Sequence, residues 1–126
     1  MATREATDEN FNDIVEKNGI VLIDFWAEWC GPCKRFGPVF EAASEQHADV
    51  VFAKVDTEAQ PALAGAFGIR SIPTLMVFRD SVLIFQQAGS LPASALEELI
   101  VKVKALDMAK VKAEIEEHEK KHAAAS

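Results

Sequence analysis

Tyrosine is absent, cysteine occurs only twice, and no long hydrophobic run is present. Each shortage excludes something. Apolar stretches such as 20–23 and 82–85 are far too short to span a bilayer, which takes about 20 residues as a helix. Cations are the minority: 13 Lys and Arg against 20 Asp and Glu leave a formal net charge of −7. Nucleic-acid binding needs clustered Lys and Arg, so no such partner is expected. The amino-terminal segment carries Arg4, Glu5, Asp8, Glu9, Asp13, Glu16 and Lys17 with no apolar stretch behind a basic start, so no secretory leader is read there. These points give the expectation of a cytoplasmic monomer with no membrane partner. Two cysteines in a reducing compartment react or bind metal more often than they form a structural staple. What is present fits one globular domain: 126 residues, 49% hydrophobic and 26% charged, with no internal repeat.

The order of elements reads as α/β. Thr7 is placed to cap a first helix through Phe11, Ile14 and Val15, with Gly19 ending it. Residues 20–26 are nearly unbroken apolar, the pattern of a central strand covered on both faces. Cys30-Gly31-Pro32-Cys33 follows at a short turn, and a long helix then runs to about His47. Pro38 lies inside that helix and should bend it. Residues 50–56 read as a second strand, and 58–67 as a short helix closed by Gly68. Residues 73–79 and 82–88 read as a hairpin turning at Asp80-Ser81. Residues 93–106 form a last amphipathic helix with Leu96, Leu99, Ile100, Val103 and Leu106 on one face. The sheet is therefore mixed, parallel in its first half and antiparallel in its second.

Cys30 and Cys33 are the only cysteines. At the start of a helix, free backbone N–H groups and the helix dipole favour a thiolate on Cys30, the attacking species in disulfide exchange. Cys30 is expected at the surface. Cys33, one turn later on the same side, can resolve a mixed disulfide. Gly31 allows close approach of a partner chain, and Pro32 suits a first helical turn. Asp24 is out of place in an apolar strand, where a carboxyl without a partner should have a raised pKa. Lys54 reads on its own terms as a lysine ending a strand, and Pro73 as a proline at a strand start.

The run Asp24-Phe25-Trp26-Ala27-Glu28-Trp29-Cys30-Gly31-Pro32-Cys33-Lys34 closely resembles the active-site segment of the thioredoxin family. The resemblance continues through Pro38, Phe52-Ala53-Lys54-Val55-Asp56, Ile69-Arg70-Ser71-Ile72-Pro73-Thr74 and Gly89, and covers about residues 1–106. It implies the thioredoxin fold, a central mixed sheet flanked by helices on both faces. It also implies a protein-disulfide reductase with a redox-active Cys30–Cys33 disulfide and no bound cofactor, taking electrons from NADPH through a thioredoxin reductase. Cys30 would be the nucleophile and Cys33 the resolving thiol. Asp24 would be a buried acid/base, with Lys54 modulating its charge. The Ile72–Pro73 bond would be cis. Trp29, Gly31, Pro32, Ile72, Ala88 and Gly89 would form the docking surface for disulfide-containing proteins, while Trp26 packs beneath the site. Phe67 stands where many relatives have Tyr, and Ser71 where others have Gly.

Residues 107–126 differ in kind. They are charged, read as a helical extension with a frayed end, and carry only Met108, Val111 and Ile115 as an apolar stripe. His118-Glu119-Lys120-Lys121-His122 matches the H-E-x-x-H zinc-protease motif. Protease chemistry is rejected because the segment lacks a third ligand and a core to fix it. Weak binding of a divalent metal by the two histidines, and a partner or dimer contact through the stripe, stay open. A C-x2-C…H-x3-H zinc site is also rejected, since a whole α/β core would separate its halves. Two rivals to the reductase remain: a dithiol-independent binding module, and a disulfide oxidase or isomerase. The intact Cys-Gly-Pro-Cys disfavours the first. The Gly-Pro pair and the missing leader disfavour the second.

Overall fold

The computed structural model describes residues 2–125. Its elements in chain order are β1 (Thr3–Glu5), α1 (Phe11–Lys17), β2 (Ile20–Trp26), α2 (Gly31–Gln46), β3 (Val51–Asp56), α3 (Pro61–Ala66), β4 (Thr74–Arg79), β5 (Val82–Ala88), α4 (Ala93–Lys104) and α5 (Met108–Ala125). The strands form one sheet in the order β1-β3-β2-β4-β5. β3 runs parallel to β1 and β2, whereas β4 is antiparallel to both β2 and β5. This is the mixed sheet expected, with helices on both faces.

β2 is central, so both its faces must be covered, and its composition allows that. Alternation sends Val21, Ile23 and Phe25 to one face, against Phe11, Ile14 and Val15 of α1 and Leu63 of α3. Leu22 points the other way, against Phe36 and Phe40 of α2 and Leu96, Ile100 and Val103 of α4. Each such side chain contributes roughly 1.5–3 kcal/mol when fully buried. Asp24 lies two residues beyond Leu22 and therefore on the α2 face, at the end of the strand that leads to the cysteines.

The local differences have local causes. β1 has no counterpart in the sequence reading: three polar residues carry no periodicity, and only pairing with β3 makes them a strand. Thr7 caps the turn that leads into α1: its Oγ1 accepts the Asn10 N–H at 3.4 Å while Asn10 Oδ1 accepts the Thr7 N–H at 2.7 Å, so residues 8–10 form a capped turn and the regular helix begins only after Asn10. α3 starts later than expected because Asp56 Oδ1 accepts the N–H groups of Glu58 and Ala59 at 2.9 and 3.3 Å, holding a turn there. Gly68 closes α3 with φ +64°, a conformation that glycine adopts freely. Asp80 and Ser81 both have positive φ (50° and 67°), the requirement of a two-residue hairpin turn. Leu99 and Leu106 of the last core helix pattern are half-buried rather than fully covered.

Just before α5 the Asp107 carboxylate accepts the Lys110 N–H at 3.2 Å. Of the apolar stripe, Met108 is buried, Val111 is half-buried and Ile115 is exposed. Ser126, part of the expected frayed end, lies outside the described residues. Among the described residues no helix is long and apolar enough to cross a membrane.

Candidate active site

β2 delivers the chain to the dithiol through a tight turn. The Trp26 carbonyl accepts the N–H and the hydroxyl of Thr57 at 2.9 and 3.1 Å, and the Cys30 N–H donates to the Ala27 carbonyl at 3.2 Å. Cys30 is the N-cap of α2, extended at φ −86°, ψ 113°, with Pro32 in the first turn. A cap residue normally offers an oxygen to the helix N–H groups. Here the Cys30 sulfur does so, accepting the Cys33 N–H at 3.2 Å. That hydrogen bond and the helix dipole both stabilise negative charge on Cys30. Cys33 is inside the helix and joined to Cys30 as a disulfide, with a Cα–Cα distance of 5.2 Å. The expectation of a surface-exposed Cys30 is corrected: Cys30 is 3% exposed and Cys33 5%. Ala27, Trp26 and Ile72 cover the pair, so position on the helix, not exposure, distinguishes the two sulfurs.

The Ile72–Pro73 bond is cis. The Ile72 carbonyl oxygen lies 3.6 Å from Cys30 Sγ. Ala88 pairs with Thr74, and the Gly89 N–H donates to the Pro73 carbonyl at 2.8 Å, so these loops meet at one end of the sheet. Gly31, Pro32, Ala88 and Gly89 are exposed around the disulfide, and Ile72 is half-buried. Trp29 is 69% exposed, yet its indole N–H donates to Glu58 Oε1 at 2.6 Å. Glu58 was not legible in the sequence. One acid among several after a strand gives no signal, and only the turn built on Asp56 brings it under the indole.

Asp24 is fully buried, and neither carboxyl oxygen accepts a hydrogen bond. Its pKa is pushed up from 3.8 to about 7. Loss of hydration is the main cause; the Lys54 ammonium pulls the other way, and the Glu41 carboxylate adds to the rise. Lys54 is the register partner of Asp24 across β2 and β3. Its ammonium lies 5.1 Å from the centroid of the Trp26 ring, a cation–π distance. Cys33, Gly37, Trp26 and Lys54 line a small cleft behind the disulfide.

The sequence model of the Thioredoxin family matches residues 2–102. The chain belongs to the thioredoxin family. It is 57% identical over 118 residues to the putative thioredoxin 2 of Streptomyces coelicolor, covering 94% of this chain and 88% of that protein. Over 103 residues it is 41% identical to the thioredoxin of Bacillus subtilis, covering 81% of this chain and 98% of the relative. Among solved structures, a mutant thioredoxin from Halobacterium salinarum superposes with a TM-score of 0.77 at 36% identity, over 83% of this chain and 93% of that one. Thioredoxins are protein-disulfide oxidoreductases, and this member has its Cys-x-x-Cys pair at disulfide distance. It is a reductase acting by thiol–disulfide exchange through Cys30 and Cys33.

In this thioredoxin the two carboxy-terminal histidines stand next to each other on α5. The His118 and His122 rings meet edge to face with centroids 4.2 Å apart on exposed α5. Among the described residues no group of three or more His, Cys, Asp or Glu is arranged to hold a metal ion. The S. coelicolor match is longer than residues 1–106, so it takes in part of the segment beyond Leu106.

Proposed function

We propose that this thioredoxin is a general cytoplasmic electron donor that acts as a monomer on disulfide-containing proteins. NADPH supplies its electrons through a thioredoxin reductase. Residues 1–106 form the working domain, and residues 107–126 are an extension outside the chemistry. In the dithiol form, the Cys30 thiolate attacks one sulfur of the substrate disulfide. A Cys30–substrate bond forms, the substrate S–S bond breaks, and one substrate thiolate leaves. Cys33 then loses its proton to the Asp24 carboxylate and attacks Cys30 Sγ. The mixed disulfide breaks, the second substrate sulfur leaves and takes up a proton, and the Cys30–Cys33 disulfide is formed. The substrate has gained two electrons from the two cysteine sulfurs and two protons, one by way of Asp24 and one taken from solvent by the first substrate thiolate; the reductase then returns two electrons to the Cys30–Cys33 disulfide and restores the dithiol.

The observation that carries the assignment of roles is the Cys33 N–H···Sγ bond to Cys30 at the head of α2. It stabilises charge on the first sulfur and leaves the second to depend on a base. Asp24 is that base: a carboxyl with a pKa of about 7 exchanges protons at neutral pH, where an ordinary one could not. Lys54 tunes it. Trp29, Gly31, Pro32, Ile72, Ala88 and Gly89 dock the substrate, whose extended chain pairs with the Ile72 backbone as an added strand beside Pro73. The test is reduction of insulin disulfides driven by NADPH and thioredoxin reductase. Turnover by the native protein and none by the Cys30→Ser/Cys33→Ser double variant is expected. Full biological function in that double variant would make the protein a binding module instead.

A further inference from the structure

A fully buried carboxyl, Asp24, and a half-buried one, Glu41, lie behind the dithiol, and one cation, Lys54, accompanies them. Both oxygens of Asp24 are buried without a donor, and so is Oε2 of Glu41 on α2. The other Glu41 oxygen, Oε1, accepts the Thr3 hydroxyl at 2.6 Å. Thr3 pairs with Phe52, and Phe52 with Leu22, which shares a face of the sheet with Asp24. Thr3, Glu41, Lys54 and Asp24 therefore occupy one layer between the sheet and α2. From β3 the group facing Asp24 is Lys54, from β4 it is apolar Leu75, and from α2 the charged group acting on it is Glu41. Lys54 rests on the Trp26 ring and donates to neither Asp24 oxygen.

One ammonium cannot neutralise two carboxylates, and the excess charge sits where the effective dielectric constant is low. Such a pair raises the proton affinity of whichever member is less well solvated. The Thr3 hydroxyl and the partial exposure of Glu41 solvate a charge there. Nothing solvates one on Asp24. We propose that Glu41 is a positioning residue of the exchange reaction, whose negative charge, held in place by Thr3, makes the Asp24 carboxylate more basic toward the Cys33 thiol. The inference rests on Asp24 being the proton acceptor for Cys33. In agreement with it, Glu41 is among the groups that raise the Asp24 pKa, behind burial and against Lys54.

The experiment is a carbon-13 titration of the Asp24 carboxyl in the oxidised protein, for the native chain, Glu41→Gln and Glu41→Ala. Gln keeps an acceptor for Thr3, and Ala serves should Gln misfold. Both variants should lower the Asp24 midpoint by about half a unit to one unit. The pH profile for resolution of a Cys30-linked mixed disulfide should move in the same direction. It should not move when Glu41→Gln is added to Asp24→Asn. An unmoved Asp24 midpoint in the Glu41 variants, with slow resolution by Asp24→Asn, overturns the proposal for Glu41 alone. Resolution by Asp24→Asn at the native rate would refute Asp24 as acceptor, and with it this role for Glu41.

Discussion

Replacing Asp24 by Asn should make the protein more stable and less active at once. The carboxyl is wholly buried, has no hydrogen-bond donor, and titrates near 7 against an ordinary 3.8. Below pH 3.8 it is neutral in both the folded and the unfolded chain. Between 3.8 and about 7 the unfolded chain releases the proton and the folded one keeps it, so stability falls as pH rises. Above about 7 both states are ionised and the loss is complete. At about 1.4 kcal/mol per pH unit across that window, the ionised side chain costs about 4 kcal/mol. Asn never ionises and escapes this cost, but it leaves a buried amide without partners, worth about 1–3 kcal/mol against it.

The Asn variant should therefore be no more stable than the native protein at pH 4, and more stable by about 1–3 kcal/mol at pH 8. Urea unfolding of the two oxidised proteins, at intervals from pH 4 to 9, measures the difference. Taking the difference cancels the groups that titrate alike in both. A gap independent of pH would refute the reasoning, because the carboxyl would then be ionised throughout or solvated. Resolution of the mixed disulfide should meanwhile slow, since the amide cannot accept the Cys33 proton.

Cys33→Ser should trap a mixed disulfide with substrate through Cys30, seen as a mass shift on denaturing gels without reductant; trapping by Cys30→Ser instead would reverse the roles. Lys54→Met removes the charge that lowers the Asp24 pKa, so the Asp24 midpoint should rise above about 7 by carbon-13 titration; a fall would show that Lys54 acts otherwise. Trp29→Ala should raise the KM for a protein disulfide several-fold and leave the melting temperature nearly unchanged, since the ring is largely exposed; an unchanged KM would remove Trp29 from the docking surface. Ending the chain after Leu106 should leave insulin reduction intact and cost about 2–3 kcal/mol at most by urea unfolding, because only Met108 of the stripe is buried. A large loss of activity, or a change in mass by light scattering, would make α5 part of the working protein.

What the sequence made legible follows the range of the interactions involved. The dithiol, its helix and the apolar central strand are local patterns, and the Cys-Gly-Pro-Cys segment carried the resemblance. Asp24 was legible because a carboxyl inside an apolar strand is anomalous on its own terms. Glu58 and Glu41 were not, because an acid on an exposed turn or on a charged helix looks ordinary. What makes each of them special is a contact far away in the chain: Trp29 with Glu58 across 29 positions, and Thr3 with Glu41 across 38. The second case ties two omissions to one cause. β1 is too short and too polar to show a strand period, and its existence depends on β3. Yet β1 is what carries the Thr3 hydroxyl to Glu41. A segment without local signal thus decides the environment of a carboxyl whose charge acts on Asp24, the base proposed for Cys33.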